Sequence, residues 1–142
     1  MRLRRNTGCP EYIEIAITES ESVNDSEHFL SVMEQFHSMG FRIDIDDFGT
    51  GYSSLSMLLD APFDIVKIDK RFITNVDYTP KYLSYLRTLI KLIRTSGKDI
   101  IFEGVETEQQ AYYLSQCGCD IAQGYLFSRA VCVEEFERKY VK

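Results

Sequence analysis

Two aspartates stand side by side at Asp46 and Asp47, and the chain continues Phe48-Gly49-Thr50-Gly51-Tyr52-Ser53-Ser54. Adjacent carboxylates at the end of a strand can hold a divalent cation, and an all-oxygen donor set suits Mg²⁺ or Mn²⁺. A pair of such ions can activate water and stabilise the leaving oxygen of a phosphodiester. Lys67, Glu103 and Gln123 follow at later points of the chain. Glu103 is suited to orient water or complete a metal shell, and Lys67 to hold water or offset phosphate charge. An Asp-Asp pair taken alone is more often a solvated turn. Its coincidence with the other three groups is what argues for a site.

Each of these groups sits where an apolar run gives out. Tyr12 to Ile17, Phe41 to Ile45, Phe63 to Ile68, Asp99 to Phe102 and Asp120 to Ala122 read as strands. Helices are expected between them. The first runs from a cap at Asp25 or Ser26 to Met39 and stops at Gly40. A short one covers Ser53 to Leu59 and is broken by Pro62. A long one runs from Pro80 to Thr95, with Leu83, Leu86, Leu89, Ile90 and Ile93 as its buried stripe. The last two span Glu106 to Cys117 and Val133 to Val141. Five strands alternating with helices, and no hairpin signal, mean α/β with a parallel sheet. No dinucleotide glycine fingerprint follows any strand. Polar groups at four strand exits favour a partial (β/α) TIM-like barrel, whose C-terminal strand ends form the active site. A complete barrel typically needs about 250 residues, so about five β-α units here leave three missing. On a regular strand Asp46 and Asp47 point to opposite faces. Both reach one site only if the strand ends at Asp46 and the turn brings Asp47 back.

The 142 residues suffice for one domain with a core, and 44% of them are apolar, which argues against disorder. A net charge of −6, with no basic stripe, argues against duplex nucleic acid as a partner. Cys9, Cys117, Cys119 and Cys132 lack zinc-site spacing and read as reduced thiols. There is no membrane-length apolar run and no signal peptide, which places the chain in the cytoplasm, alone or as part of a larger protein.

Asp46 to Ser54, DDFGTGYSS, resembles the central signature of the EAL domain family of cyclic-di-GMP phosphodiesterases. Lys67-Ile68-Asp69-Lys70, Glu103-Gly104-Val105-Glu106-Thr107 and Gln123-Gly124-Tyr125 match later motifs of that family in order. Ile17-Thr18-Glu19-Ser20 matches an earlier one. The likeness begins near Tyr12, so residues 1–11 read as an N-terminal extension and 12–142 as the C-terminal portion of the domain. It implies a modified (β/α)8 barrel and two-metal conversion of cyclic-di-GMP to linear pGpG. Asp46 and Asp47 would bind the metals, Glu103 would bind metal or act on water, and Lys67 would position the water. Gln123, Glu106 and Thr50 would support the site or the substrate, and Glu19 would brace the glycine loop.

The departures concern the metal shell. The Glu-Ala-Leu motif and an early asparagine and arginine have no counterpart here. Ala16 stands where the family carries a glutamate three residues before Glu19. Glu14 lies about 7 Å of strand rise away, too far to replace it. Three readings follow. The first is an EAL phosphodiesterase impaired as this isolated chain. The second is a degenerate, non-enzymatic relative that binds partners or nucleotide. The third, a Schiff-base barrel using Lys67, ranks last, because neighbouring carboxylates keep an ammonium charged. Half a barrel also leaves strand edges open, which favours association with a second copy.

Overall fold

The structure is a computed structural model that describes residues 10, 13–18, 26–50 and 55–141. Four parallel strands lie side by side in chain order: β1 (Glu14–Thr18), β2 (Arg42–Phe48), β3 (Ile65–Ile68) and β4 (Asp99–Phe102). Between and after them run α1 (Ser26–Ser38), α2 (Leu55–Asp60), α3 (Pro80–Thr95), α4 (Glu108–Gln116) and α5 (Val133–Tyr140). A single 3-10 turn, Lys70–Phe72, follows β3. This is the strand–helix repeat of a partial barrel. Among the described residues, no helix is long and apolar enough to cross a membrane.

Alternation along the strands sorts side chains to two faces. Ile43, Ile45, Val66, Ile68, Ile100 and Phe102 form one apolar layer, and Met33, Leu86, Ile90, Ile93 and Leu114 of the helices join the same core. The opposite face carries Ala16 beside Asp44, Thr18 beside Asp46, and Lys67 beside Ile101. The polar groups of the site therefore come from the face away from the helices. The α3 stripe is core, as its spacing predicts: Leu86, Ile90 and Ile93 are buried. Thr79 caps that helix by accepting from the Tyr82 N–H, Pro80 occupies its first turn, and Gly97 follows it at φ 79°.

Two expected strands differ. β2 does not stop at Ile45 but continues to Phe48. The run Asp120 to Ala122 is not a full strand: it contributes a single parallel bridge, Phe102 to Ala122. The physical reason lies downstream, where Gln123 donates to the Phe102 carbonyl at 2.9 Å and the chain then turns at Gly124 to pack on Val105. Among the described residues there are thus four strands and a fifth position one residue wide, which still delivers Gln123 to the sheet edge.

The loop leaving β4 is fixed from the far side by a capping box. Thr107 accepts from the Gln110 N–H at 3.2 Å, and the Gln110 side-chain oxygen accepts from Thr107 and Glu106 N–H groups at 3.0 and 2.8 Å. Thr107→Ala is expected to cost about 1 kcal/mol, read as a lowered urea midpoint with an unchanged slope.

Candidate metal centre

The acidic pair reaches one site by a device other than a strand end. Ile45 pairs with Val66 and Phe48 with Ile68, so three residue steps on β2 answer two on β3. The extra residue is a bulge at Asp46-Asp47, and Asp47 takes a left-handed conformation at φ 56°. Phe48, 7% exposed, fills the place in the apolar layer that Asp47 would hold on a regular strand. The carboxylates of Asp46 and Asp47 are both released to the polar side. Asp46 fixes the bulge by accepting the Asp47 N–H at 2.9 Å, and Thr50 closes the following turn by donating its N–H to the Asp47 carbonyl at 3.2 Å.

One oxygen each from Asp46, Asp47 and Glu103 lies within 4.8 Å of the others. Lys67, from β3, stands among them. Its ammonium is 2.7 Å from Glu103 Oε1, 3.5 Å from Asp46 and 3.9 Å from Asp44. Gln123 donates to the same Glu103 oxygen at 2.7 Å. Burial alone would push Lys67 down, but the bond to Glu103 and the charges of Asp44, Glu103 and Asp46 raise it. Those carboxylates favour the ammonium form, which argues against the Schiff-base reading. All donors are hard oxygens in a loose triangle, so the set fits Mg²⁺ or Mn²⁺. The triangle opens on a cleft of about 680 Å³ lined in part by Asp69, Glu106, Gln123, Tyr125 and Arg129.

The expected residues divide clearly. Asp46, Asp47, Lys67, Glu103 and Gln123 converge. Glu106 lines the cleft, and Thr50 shapes the turn rather than the triangle. Glu19, with Gly51 to Ser54, lies outside the described residues. Two acids without an expected role are present as well. Asp44, only 2% exposed, follows from the two-residue alternation that places Asp46. Asp69 caps the 3-10 turn, accepting from the Arg71 backbone at 2.9 Å and its side chain at 2.8 Å. Its place in Lys67-Ile68-Asp69-Lys70 was visible; its pairing with Asp47 depends on the fold.

That pairing sets opposite directions. Burial works to raise Asp69, but bonds to Arg71 and Asp47 hold it low. Asp47, although exposed, is raised by desolvation of its carboxylate and by the charges of Asp46 and Asp69. A carboxyl raised in the fold favours folding below its ordinary 3.8 and loses that contribution as pH rises through its folded value. Asp47→Asn keeps a residue that tolerates φ 56° and removes the repelled charge. In chelator, this variant should be slightly more stable than the parent at neutral pH, with the gap shrinking toward acid. Mg²⁺ is expected to reverse the order, since asparagine brings no carboxylate to the Asp46–Asp47–Glu103 triangle. Denaturant midpoints across pH, with and without Mg²⁺, check this.

The family model described as "EAL domain" matches residues 1–130. The cyclic di-GMP phosphodiesterase PdeR of Escherichia coli (strain K12) is 36% identical over 132 residues, covering 93% of this chain and 20% of PdeR. The chain thus spans about a fifth of that relative's length. A structure of the PaMucR phosphodiesterase in complex with c-di-GMP superposes at a TM-score of 0.80 with 38% identity. It covers 89% of this chain and 51% of that one. A manganese and cy-diGMP complex of Klebsiella pneumoniae BlrP1 superposes at 0.77 with 30% identity, covering 84% and 31%. With a family match over most of its length and the motif residues gathered at one end of the sheet, the chain belongs to the EAL domain family.

Proposed function

We propose that residues 12–142 form the C-terminal portion of a cyclic-di-GMP phosphodiesterase domain, with residues 1–11 as an extension, and that Asp46, Asp47 and Glu103 hold Mg²⁺ or Mn²⁺. The observation carrying this is the bulge that turns two adjacent aspartates to one side, within 4.8 Å of Glu103. Metal ions bound there supply Lewis-acid stabilisation of phosphodiester oxygens and activation of water. Lys67 then holds the water or a phosphate oxygen by its ammonium. Gln123 orients Glu103. Glu106, with Thr50, supports the substrate side of the cleft, and Glu19 braces the glycine loop. The reading places the chain in the cytoplasm, where a cyclic dinucleotide signal is made and read.

Among the described residues, one three-carboxylate group forms, and β1 places Ala16 beside Asp44 and Thr18 beside Asp46, with no acid at either position. The competing reading is an EAL-like domain that binds without hydrolysing. The 142 residues alone are therefore expected to release little or no linear pGpG from cyclic-di-GMP with Mn²⁺, and supplying the absent barrel half in trans should restore turnover. Failure to restore it, with Mn²⁺ bound, would favour the non-enzymatic reading. Turnover by the chain alone that disappears in Asp46→Asn would show a sufficient site. The open sheet edge gives a further expectation, a homo-oligomer at micromolar concentration, which a folded monomer in sedimentation would contradict.

A further inference from the structure

Asp44 is a carboxylate that the triangle does not use. It lies on β2 one alternation below Asp46, it is 2% exposed, and among the described residues its Oδ1 finds no hydrogen-bond donor. A buried carboxylate oxygen without a donor is costly, and native folds rarely keep one without a purpose. The nearest cation is the Lys67 ammonium, 3.9 Å away, too far for a hydrogen bond. That ammonium instead sits 2.7 Å from Glu103, on the oxygen that also receives Gln123. Lys67 thus occupies, as a cation, the ground that a divalent ion needs. An incoming ion and the ammonium repel each other and compete for Glu103 and Asp46. The ammonium needs another seat that keeps it paired and buried. Asp44 Oδ1 is that seat, on the same face of the sheet and within reach of a change of side-chain torsion.

We infer that Asp44 is a positioning residue for Lys67: the ammonium moves from Glu103 toward Asp44 when a divalent cation enters the Asp46–Asp47–Glu103 triangle. The metal-free state then holds its own internal counter-ion, and cation binding is an exchange rather than an addition. This inference rests on the metal reading above.

The test uses the whole chain with selectively ¹³C-labelled lysine and diamagnetic Mg²⁺. The Lys67 Cε signal, assigned by its loss in Lys67→Met, should move as Mg²⁺ saturates the site. Calorimetry on Asp44→Asn should show Mg²⁺ affinity about tenfold weaker. In a Lys67→Met background, where no ammonium needs a seat, Asp44→Asn should leave the affinity nearly unchanged. Mg²⁺ binding with an unmoved Lys67 signal overturns the inference and leaves the metal site standing. Equal weakening with and without Lys67 also overturns it, because Asp44 would then act on the ion directly. No Mg²⁺ binding by the parent chain removes the metal reading and this inference together.

Discussion

Asp46→Asn is expected to weaken Mn²⁺ binding at least about 100-fold, beyond the 10–100-fold that the loss of an outer-shell partner typically costs. The side chain sits at the junction of three interactions. It shares the triangle with Asp47 and Glu103, faces Lys67 at 3.5 Å, and accepts the Asp47 N–H at 2.9 Å. Asparagine keeps the volume, and its amide oxygen still accepts that N–H, so the bulge survives. What is lost is one formal negative charge, which leaves Asp47 and Glu103 to offset both the incoming ion and the Lys67 ammonium. The expected outcome is therefore a folded chain with its cation affinity removed. Calorimetry against circular dichroism separates the two, and a folded variant with parental affinity would take Asp46 out of the site. Where turnover is restored by the other barrel half, the same substitution should lower the rate by about 10³, the equivalent of about 4 kcal/mol of lost charge stabilisation.

Gly124→Ala is expected to be the most damaging small substitution for the fold. A Cβ at this position would lie 2.1 Å from the Val105 carbonyl oxygen and 2.3 Å from its nitrogen. Backbone cannot swing aside as a flexible side chain does. The crowding comes from a clamp between the exits of two neighbouring elements: Val105 donates to the Gln123 carbonyl at 3.0 Å, and Leu126 donates to the Val105 carbonyl at 3.0 Å. Overpacking costs about 1–3 kcal/mol, and each parted hydrogen bond about 1 kcal/mol more. A loss of about 3 kcal/mol lowers the melting temperature by roughly 10 °C in a chain of this size. Gln123 is carried on the moving segment, so its bond to Glu103 should be lost too. A variant melting with the parent would show that the two exits are not clamped.

The architecture was legible because each strand exit was marked by a break in an apolar run and by a polar residue. Lys67, Glu103 and Gln123 were found that way. The bulge was not legible. Strand alternation is a strict period of two, and a one-residue slip leaves no mark in the pattern before the break. The buried place of Phe48 was the available clue, since a large aromatic after two acids has to go inward. Alternation places Asp44 on the same face as Asp46, but only the fold shows it buried. The fifth strand was over-read: Ile121 and Ala122 have strand-like composition, but the clamp at Gly124 ends the pairing after one bridge.

The left-handed backbone at position 47 narrows the alphabet that can stand there. Glycine and asparagine meet the backbone demand but bring no charge, and glutamate brings charge with a side chain poorly suited to that conformation. Aspartate alone satisfies both filters. A lineage can therefore lose the proposed metal ligand at this position in a single substitution and keep its strand and its core. Loss of chemistry and loss of fold are uncoupled here, and the neighbouring Gly124 is where they are joined.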